Sequence, residues 1–207
     1  MKYYVRTTGE RSFDYHSELP EYECLVDTEH KPNESFIEQL IMISEKDDVV
    51  LLEDDLQLCK DFKNKIEQVI SEHSDMVINF FTYPEKYFTT HITSDFLYNQ
   101  CTYYPKGVGK RIAEKMRELY KVFSNKTGYD VVESKAMREL GIVHLAYRPC
   151  LVQHLDMKSL ILNAYFNRTT IYFEDYLNEA GIKYEDAYSD ENRKKLFKIL
   201  NNNKVWR

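Results

Sequence analysis

A chain of 207 residues, 43% hydrophobic and 30% charged, is long enough to form one domain with a substantial core. Its formal net charge of −6 argues against a protein that binds nucleic acid mainly by neutralising phosphates. No stretch contains the ~20 consecutive apolar residues of a membrane-spanning helix. A local basic patch is still compatible with this composition, formed by Lys106, Lys110, Arg111 and Lys115.

The beginning of the chain and its cysteines predict a location in a reducing compartment. Residues 1–6 lack the apolar run of a signal peptide and are typical of a strand. The cysteines lie far apart, with no CxxC pair, which predicts free thiols rather than a disulfide frame or a zinc site. We therefore expect a cytoplasmic protein with free thiols at Cys24, Cys59, Cys101 and Cys150.

The first quarter of the chain alternates β-prone and helical segments. Residues 2–8 predict a strand that ends in a loop at Gly9, and residues 22–27 predict a second strand. A helix is expected to begin near Asn33, because apolar residues then recur at helical spacing. Residues 49–52 are four consecutive apolar residues, which is typical of a central strand buried on both faces.

The same alternation continues through the middle of the chain. Residues 61–70 predict a helix and residues 76–81 another continuous strand. The aromatic segment 82–104 has no clear periodicity and predicts a loop over a site. Two further helices are predicted at 107–123 and 129–140.

The last part of the chain completes the predicted architecture. Residues 142–152 predict a strand interrupted by Pro149, and a helix is expected from Leu160, followed by a polar tail. Alternating strands and helices predict an α/β sheet with helices on both faces. We expect a catalytic domain over residues 1–160 and a helical, polar extension over 161–207 that packs on the same domain.

Three adjacent carboxylates, Glu53, Asp54 and Asp55, follow the apolar run at 49–52. Ligands bind beyond the carboxyl ends of strands in open α/β sheets, and adjacent carboxylates repel each other unless a cation neutralises them. This pattern favours a site for Mg²⁺ or Mn²⁺. The alternative is a solvated strand end whose acids cap the next helix.

Residues 50–55, Val-Leu-Leu-Glu-Asp-Asp, resemble the DXD-type motif of GT-A glycosyltransferases in its "LEDD" form. The resemblance implies a mixed, mostly parallel sheet flanked by helices. It also implies that Asp55 and Glu53 serve the metal, and that Asp54 contacts the nucleotide sugar.

A second segment, residues 149–159, is similar to the C-terminal metal-binding segment of many GT-A enzymes, with the pattern Pro-x-Leu-Val-Gln-His-x-x-x-x-Ser. The resemblance implies that His154 completes the metal coordination and that Lys158 and Ser159 contact phosphate. An imidazole ligand suits Mn²⁺ better than Mg²⁺. Asp156 departs from the glycine usual in the family, and the alternative for His154 is an ordinary buried or capping imidazole.

An acid ahead of the last strand commonly serves as the general base of inverting enzymes in this family, and Asp130 occupies that place. A carboxylate there can remove the proton of an acceptor hydroxyl as its oxygen attacks the anomeric carbon. The alternative is that Asp130 caps the helix that follows Gly128.

Positions in the first loops complete the predicted donor site. Arg168 is a further candidate contact of the diphosphate, with a surface arginine as the alternative. In the family, the loop after the first strand meets the nucleotide and the end of the second strand contacts base or ribose. By position, the nucleotide-sugar contacts are Arg6, Thr7, Thr8, Arg11 and Asp27.

We expect a metal-dependent glycosyltransferase that uses a nucleotide-sugar donor, with UDP as the favoured nucleotide, and inverts the anomeric centre. The acceptor is a glycan, a protein side chain or a hydroxymethylated DNA base. Two alternatives stay open: a nucleotide-sugar-binding protein without turnover, and a metal-dependent phosphotransferase or nuclease, which needs more acids around two metals. The acceptor contacts are predicted to be Tyr83, His91, Asp95 and Tyr103.

Overall fold

The computed structural model describes residues 1–82, 90–96, 98–123, 127–155 and 168–203. Within these ranges the chain forms nine strands, six α-helices and a short 3-10 turn at Tyr184–Asp186. The strands are β1 Lys2–Thr7, β2 Glu23–Val26, β3 Val49–Glu53, β4 Leu56–Leu58, β5 Val77–Asn79, β6 His91–Thr93, β7 Cys101–Tyr104, β8 His144–Ala146 and β9 Val152–His154. The helices are α1 Pro32–Ser44, α2 Phe62–Glu72, α3 Val108–Leu119, α4 Tyr129–Glu139, α5 Glu174–Ala180 and α6 Asp190–Asn203.

Seven of these strands form one sheet in the order β2-β1-β3-β7-β5-β8-β6. β1 is parallel to both β2 and β3, and β5 is parallel to β8. β7 is antiparallel to β3 and to β5, and the edge strand β6 is antiparallel to β8. The predicted α/β class with a mostly parallel sheet is therefore confirmed. The carboxyl ends of β1, β2, β3, β5 and β8 all lie at one edge of the sheet.

The apolar run at 49–52 forms the buried central strand that the sequence predicts. Val49 and Leu51 face one core, whereas Val50 and Leu52 face the other. All four side chains are at most 1% exposed. A strand buried on both faces needs apolar residues at every position, and this explains why the run is unbroken.

Helices cover both faces of the sheet, again as predicted. α1, α3 and α4 pack on one face and bury residues such as Phe36, Ile112 and Val132. α2, α5 and α6 belong to the core on the other face. α1 and α3 approach closely at Gly109, where an added Cβ would lie 2.7 Å from Ser44 Oγ.

A second, two-stranded sheet pairs β4 with β9 in antiparallel register. The sequence did not predict β4, and it predicted residues 142–152 as one strand. In the structure that segment divides into β8, in the main sheet, and β9, in the small sheet. The division falls at Pro149, which follows a cis peptide bond and has no N–H to donate to a sheet. This small sheet brings two distant parts of the chain together.

The C-terminal part of the chain joins the same core as the sheet. Tyr172, Phe173, Leu196 and Leu200 belong to one hydrophobic cluster with Val5 of β1. Residues 190–203, in the segment predicted as a helical, polar extension, form α6, and Leu196 and Leu200 bury one face of this otherwise polar helix. The helix predicted from residue 160 onward falls largely on 156–167, outside the described residues.

The four cysteines, all within the described ranges, are free thiols, as predicted. Cys59, Cys101 and Cys150 are buried, and burial raises the pKa of the Cys59 thiol to about 12. Thiols of this kind are unreactive packing groups at neutral pH. None of the helices in the described part of the chain is both long and apolar enough to cross a membrane.

Candidate functional site

The acidic triplet lies where two parallel strands end side by side. Arg6, near the end of β1, is the register partner of Glu53, the last residue of β3. The loop after β1 turns back at Gly9, whose φ of +80° is in the left-handed region that favours glycine. This turn places Arg11 of the loop over Asp54 and Asp55.

Asp54 and Asp55 are held by groups of the first strand and its loop. Arg11 Nη1 lies 3.0 Å from Asp54 Oδ1 and 2.6 Å from Asp55 Oδ2, so one guanidinium nitrogen bridges both carboxylates. Thr7 Oγ1 donates a hydrogen bond of 2.6 Å to Asp54 Oδ2 and accepts one from the Gly9 N–H. The two acids are therefore held in place by one guanidinium and one hydroxyl, so a single positive charge faces two carboxylates.

The pairing of β4 with β9 brings His154 to this pair. His154 is the register partner of Leu56, and the Leu155 N–H donates to the Asp55 carbonyl at 2.8 Å. As a result, His154 Nε2 lies 3.5 Å from Asp55 Oδ2. Nearly a hundred residues separate these two groups in the sequence. The structure thus places the second predicted motif against the first.

The Glu53 carboxylate points away from this pair. Its Oε1 accepts hydrogen bonds from Arg6 Nη1 at 2.9 Å and from the Tyr129 hydroxyl at 2.7 Å. The Arg6 guanidinium lies 4.9 Å from the ring centroids of both Tyr129 and Phe36, and these two rings stack at 4.6 Å. This arrangement makes Glu53 part of an ion pair with aromatic packing, rather than a neighbour of His154. No sequence pattern indicates that Tyr129 contacts Glu53.

Tyr15 fixes the backbone of the triplet and was also missed by the sequence reasoning. Its hydroxyl donates to the Glu53 carbonyl at 2.8 Å and accepts from the Leu56 N–H at 3.0 Å. The side chain is 5% exposed and comes from the loop after β1. A single buried phenol therefore joins the residues on either side of Asp54 and Asp55.

Burial shifts the pKa values of two of the carboxylates upward. Desolvation raises the pKa of Asp55, and repulsion from Asp54 adds to this, while Arg11 and the charge of Arg168 act in the opposite direction. Desolvation likewise raises the pKa of Glu53 against the attraction of Arg6. In both cases a nearby arginine stabilises the ionised carboxylate, which partly offsets the cost of burying that charge.

Gln153, in the segment 149–159, helps to position Arg168. The Gln153 side chain forms two hydrogen bonds with the backbone of Thr170, one donated from Nε2 at 2.7 Å and one accepted by Oε1 at 2.9 Å. These bonds attach residues 168–170 to the edge of β9. They keep Arg168 within electrostatic reach of Asp55.

Other predicted donor contacts lie near the same strand ends. Asp27 is 8% exposed, its N–H donates to the Thr7 carbonyl, and its Oδ1 accepts the Lys31 N–H. Thr8 Oγ1 is buried and has no hydrogen-bond partner among the described residues. Lys158 and Ser159 lie outside the described residues.

The predicted acceptor contacts are dispersed. Tyr103 is fully buried in β7, and its hydroxyl donates to the Ser74 carbonyl ahead of β5, at the opposite end of the sheet. That position does not fit a contact with an acceptor, because a central strand directs its aromatic residues into the core. His91 begins the edge strand β6, and Asp95 follows that strand. Tyr83 lies outside the described residues.

Asp130 lies in the first turn of α4, half-buried. Its Oδ1 accepts the Val131 N–H at 2.9 Å, but Gly128 occupies the N-cap position and α4 has no side-chain cap hydrogen bond, so Asp130 does not cap the helix. The preceding residue is Tyr129, which contacts Glu53. Asp130 is thereby one residue from a side chain that touches the triplet.

A buried polar cluster lies one helical turn further along α4. Glu133 is fully buried and accepts hydrogen bonds from the Tyr104 hydroxyl at 2.6 Å and from Asn99 Nδ2 at 2.7 Å. The Tyr104 hydroxyl also lies 3.2 Å from Asn99 Oδ1. Burial raises the pKa of Glu133 to about 8, with a further upward contribution from Asp130. The carbonyl of Gln100, next to Asn99, accepts the Glu53 N–H.

A cavity of about 410 Å³ opens between the start of α1 and the end of α3. Its lining includes Pro32, Ile37 and Tyr120, together with charged residues of both signs. The Pro32 carbonyl accepts a hydrogen bond from Arg6 Nη2 at 3.3 Å. The cavity therefore adjoins the site through Arg6, although none of the three acids lines it.

The donor set can be tested against a divalent cation. Neighbouring ligands with bonds of ~2.1 Å to one cation lie about 3 Å apart, which is close to the spacing of Asp55 Oδ2 and His154 Nε2. Among the described residues, no three His, Cys, Asp or Glu side chains form a complete metal site. Arg11 Nη1 already contacts the same Asp55 oxygen. The spacing of the two donors is compatible with one shared cation, and in this structure Arg11 is the group that contacts the Asp55 oxygen.

No protein-family model matches this chain, and a search of the curated proteins finds no significant match. Assignment of a function therefore depends on the chain's own motifs and contacts. Such an assignment must come from the site, because one fold hosts many functions.

Proposed function

We propose that the chain is a metal-dependent glycosyltransferase that moves a sugar from a nucleotide-sugar donor, UDP-linked in the first instance, to a hydroxyl acceptor with inversion. One observation carries this proposal. The motif ending at Asp55 and the motif around His154 meet at 3.5 Å, at the edge where the parallel strands end. Ligands of open α/β sheets bind at that edge.

Each group around this contact has a role in the proposed reaction. Asp55 and His154 hold the cation, which is Mn²⁺ or Mg²⁺, and Asp54 lies beside them. A cation bound there would supply positive charge to the leaving diphosphate. Arg11 and Arg168 contact diphosphate oxygens, since a guanidinium binds phosphate through paired hydrogen bonds.

The proposed base is Asp130. Its carboxylate accepts the proton of the acceptor hydroxyl while that oxygen attacks the anomeric carbon. Support comes from its partial exposure, which leaves the carboxylate accessible to an acceptor. Arg6 and Tyr129 hold Glu53 in place, and Tyr15 holds the backbone around the two aspartates.

Thermal melting with nucleotides tests the proposal directly. A ligand that binds only the native state stabilises it and so raises the melting temperature. At a ligand concentration one hundred times Kd, the added stability is about 2.7 kcal/mol. UDP-sugars are expected to raise the melting temperature with Mn²⁺ and much less without it. Asp55→Asn should abolish the Mn²⁺-dependent part, whereas Asp75→Asn, an exposed carboxylate ahead of β5, should not.

Measurements of turnover distinguish a glycosyltransferase from the two alternative functions, a binding protein and a nuclease. Mn²⁺-dependent release of UDP from a UDP-sugar, lost in Asp55→Asn, supports a transferase. Nucleotide-sugar binding without any release indicates a binding protein, and metal-dependent cleavage of DNA indicates a nuclease. The proposal fails if no nucleotide sugar shifts the melting temperature with either cation.

A further inference from the structure

Arg11 occupies the place between the two aspartates. Its Nη1 contacts Asp54 Oδ1 at 3.0 Å and Asp55 Oδ2 at 2.6 Å, and its side chain is 11% exposed. The Asp55 oxygen that it contacts is also the one that lies 3.5 Å from His154 Nε2. A guanidinium and a divalent cation compete for that oxygen, because two positive charges at contact distance repel each other.

We propose that Arg11 is a resident counter-ion that exchanges between the aspartates and the donor diphosphate, so that the cation and the nucleotide bind cooperatively. This inference rests on the proposed glycosyltransferase function. Without nucleotide, Arg11 competes with the cation for Asp55. With nucleotide, the diphosphate provides the guanidinium with other oxygens, and Asp55 becomes accessible to the cation.

The two arginines of the site lie on different kinds of backbone. Arg6 lies on β1 and contacts Glu53, Gln39, the Pro32 carbonyl and two aromatic rings. Arg11 lies in the loop after β1, outside any helix or strand. A loop residue with a long side chain can change partners without disturbing the sheet. Arg11 is accordingly the arginine that moves between the aspartates and the diphosphate, whereas Arg6 keeps its contact with Glu53.

Thermodynamic linkage gives this exchange a measurable consequence. If UDP increases the affinity for Mn²⁺ by some factor, Mn²⁺ increases the affinity for UDP by the same factor. Removing the Arg11 charge removes both the competitor of the cation and one contact of the diphosphate. Mn²⁺ alone should then bind more tightly, and UDP should improve its binding less.

Mn²⁺ titrations followed by electron paramagnetic resonance, with and without UDP, test this. Arg11→Gln should bind Mn²⁺ alone more tightly than the wild type by about 5–150-fold, the usual range of coupling between sites. Arg11→Lys keeps the charge and should stay close to the wild type. Arg117→Gln, which removes an exposed arginine paired with Glu38 on another helix, is the matched control and should change nothing.

The outcomes distinguish this inference from the proposed function. Suppose that the wild type binds Mn²⁺ in the presence of UDP. If Arg11→Gln then binds Mn²⁺ alone no more tightly than the wild type does, the inference is overturned and the proposed function is not. Binding by Arg11→Lys as tight as by Arg11→Gln also overturns it, because charge would then not be the cause. If no variant binds Mn²⁺ even with UDP, both the inference and the proposed function fail.

Discussion

Glu133→Gln should make the protein more stable at alkaline pH, in contrast to most changes of buried residues. Protonated Glu133 can close a ring of three hydrogen bonds: it donates to the Tyr104 oxygen, Tyr104 donates to Asn99 Oδ1, and Asn99 Nδ2 donates back to Glu133. A glutamine amide can make the same ring with its N–H₂ and C=O. The variant therefore keeps the contacts and loses only the ability to ionise.

The magnitude follows from the pKa of Glu133, which burial raises from 4.5 to about 8. A carboxyl whose pKa is raised by folding stabilises the fold fully below pH 4.5, and this stabilisation is lost as the pH rises to 8. At about 1.4 kcal/mol per pH unit, the wild type loses about 3 kcal/mol by pH 7 and about 5 kcal/mol by pH 9. Glutamine loses none of this.

Urea unfolding at pH 5, 7 and 9 measures the difference between the variant and the wild type. We expect nearly equal free energies of unfolding at pH 5 and a growing advantage of Glu133→Gln toward pH 9. Glu114→Gln, an exposed change on α3, is the control and should track the wild type throughout. A difference that is the same at all three pH values, or a variant that is less stable at pH 9, refutes the reasoning.

Three further predictions concern packing, backbone support and acid stability. Gly109→Ala should lower the free energy of unfolding by about 1–3 kcal/mol, because its Cβ would collide with α1; unchanged thermal melting contradicts this. Tyr15→Phe should lower the free energy of unfolding in urea by about 1–3 kcal/mol, because it leaves the Glu53 carbonyl and the Leu56 N–H unpaired. The same change should weaken UDP-sugar binding, and an unchanged affinity would refute the positioning role of Tyr15. Burial lowers the pKa of His144 to about 4, so the neutral imidazole stabilises the fold above pH 6.5, and about 3 kcal/mol is lost as the pH falls to 4. The free energy of unfolding of His144→Asn should fall less steeply than that of the wild type between pH 6.5 and 4. If the two proteins have the same pH dependence, the assignment to His144 is wrong.

The sequence predicted the elements whose pattern is set by burial. The unbroken apolar run at 49–52 is typical of a strand with a core on each side, and the spacing of Phe36, Ile37 and Leu40 is typical of a helix that buries one face. The place of the acids at the end of a strand followed from the same pattern. These features depend on local sequence, and local sequence is sufficient to predict them.

The remaining features depend on contacts between distant residues. β4 and β9 have three residues each, too few for a periodic signal, and they exist because they pair with each other. Tyr15 and Tyr129 support the triplet, yet a single tyrosine in a loop or at the start of a helix has no recognisable pattern. Tyr103 is the opposite case: it belongs to the segment 82–104, which predicts a loop and a ligand contact, but it lies in the core as part of the buried strand β7.

The core shared by β1 and α6 has a consequence for how the protein matures on the ribosome. Val5 and Leu200 are buried in one cluster, so the core layer that contains β1 is incomplete until α6 has left the exit tunnel. Until then the nascent chain exposes the apolar face of its sheet, which is a target for chaperones. A stalled or shortened product that ends before α6 should therefore aggregate or be degraded rather than accumulate as an active fragment.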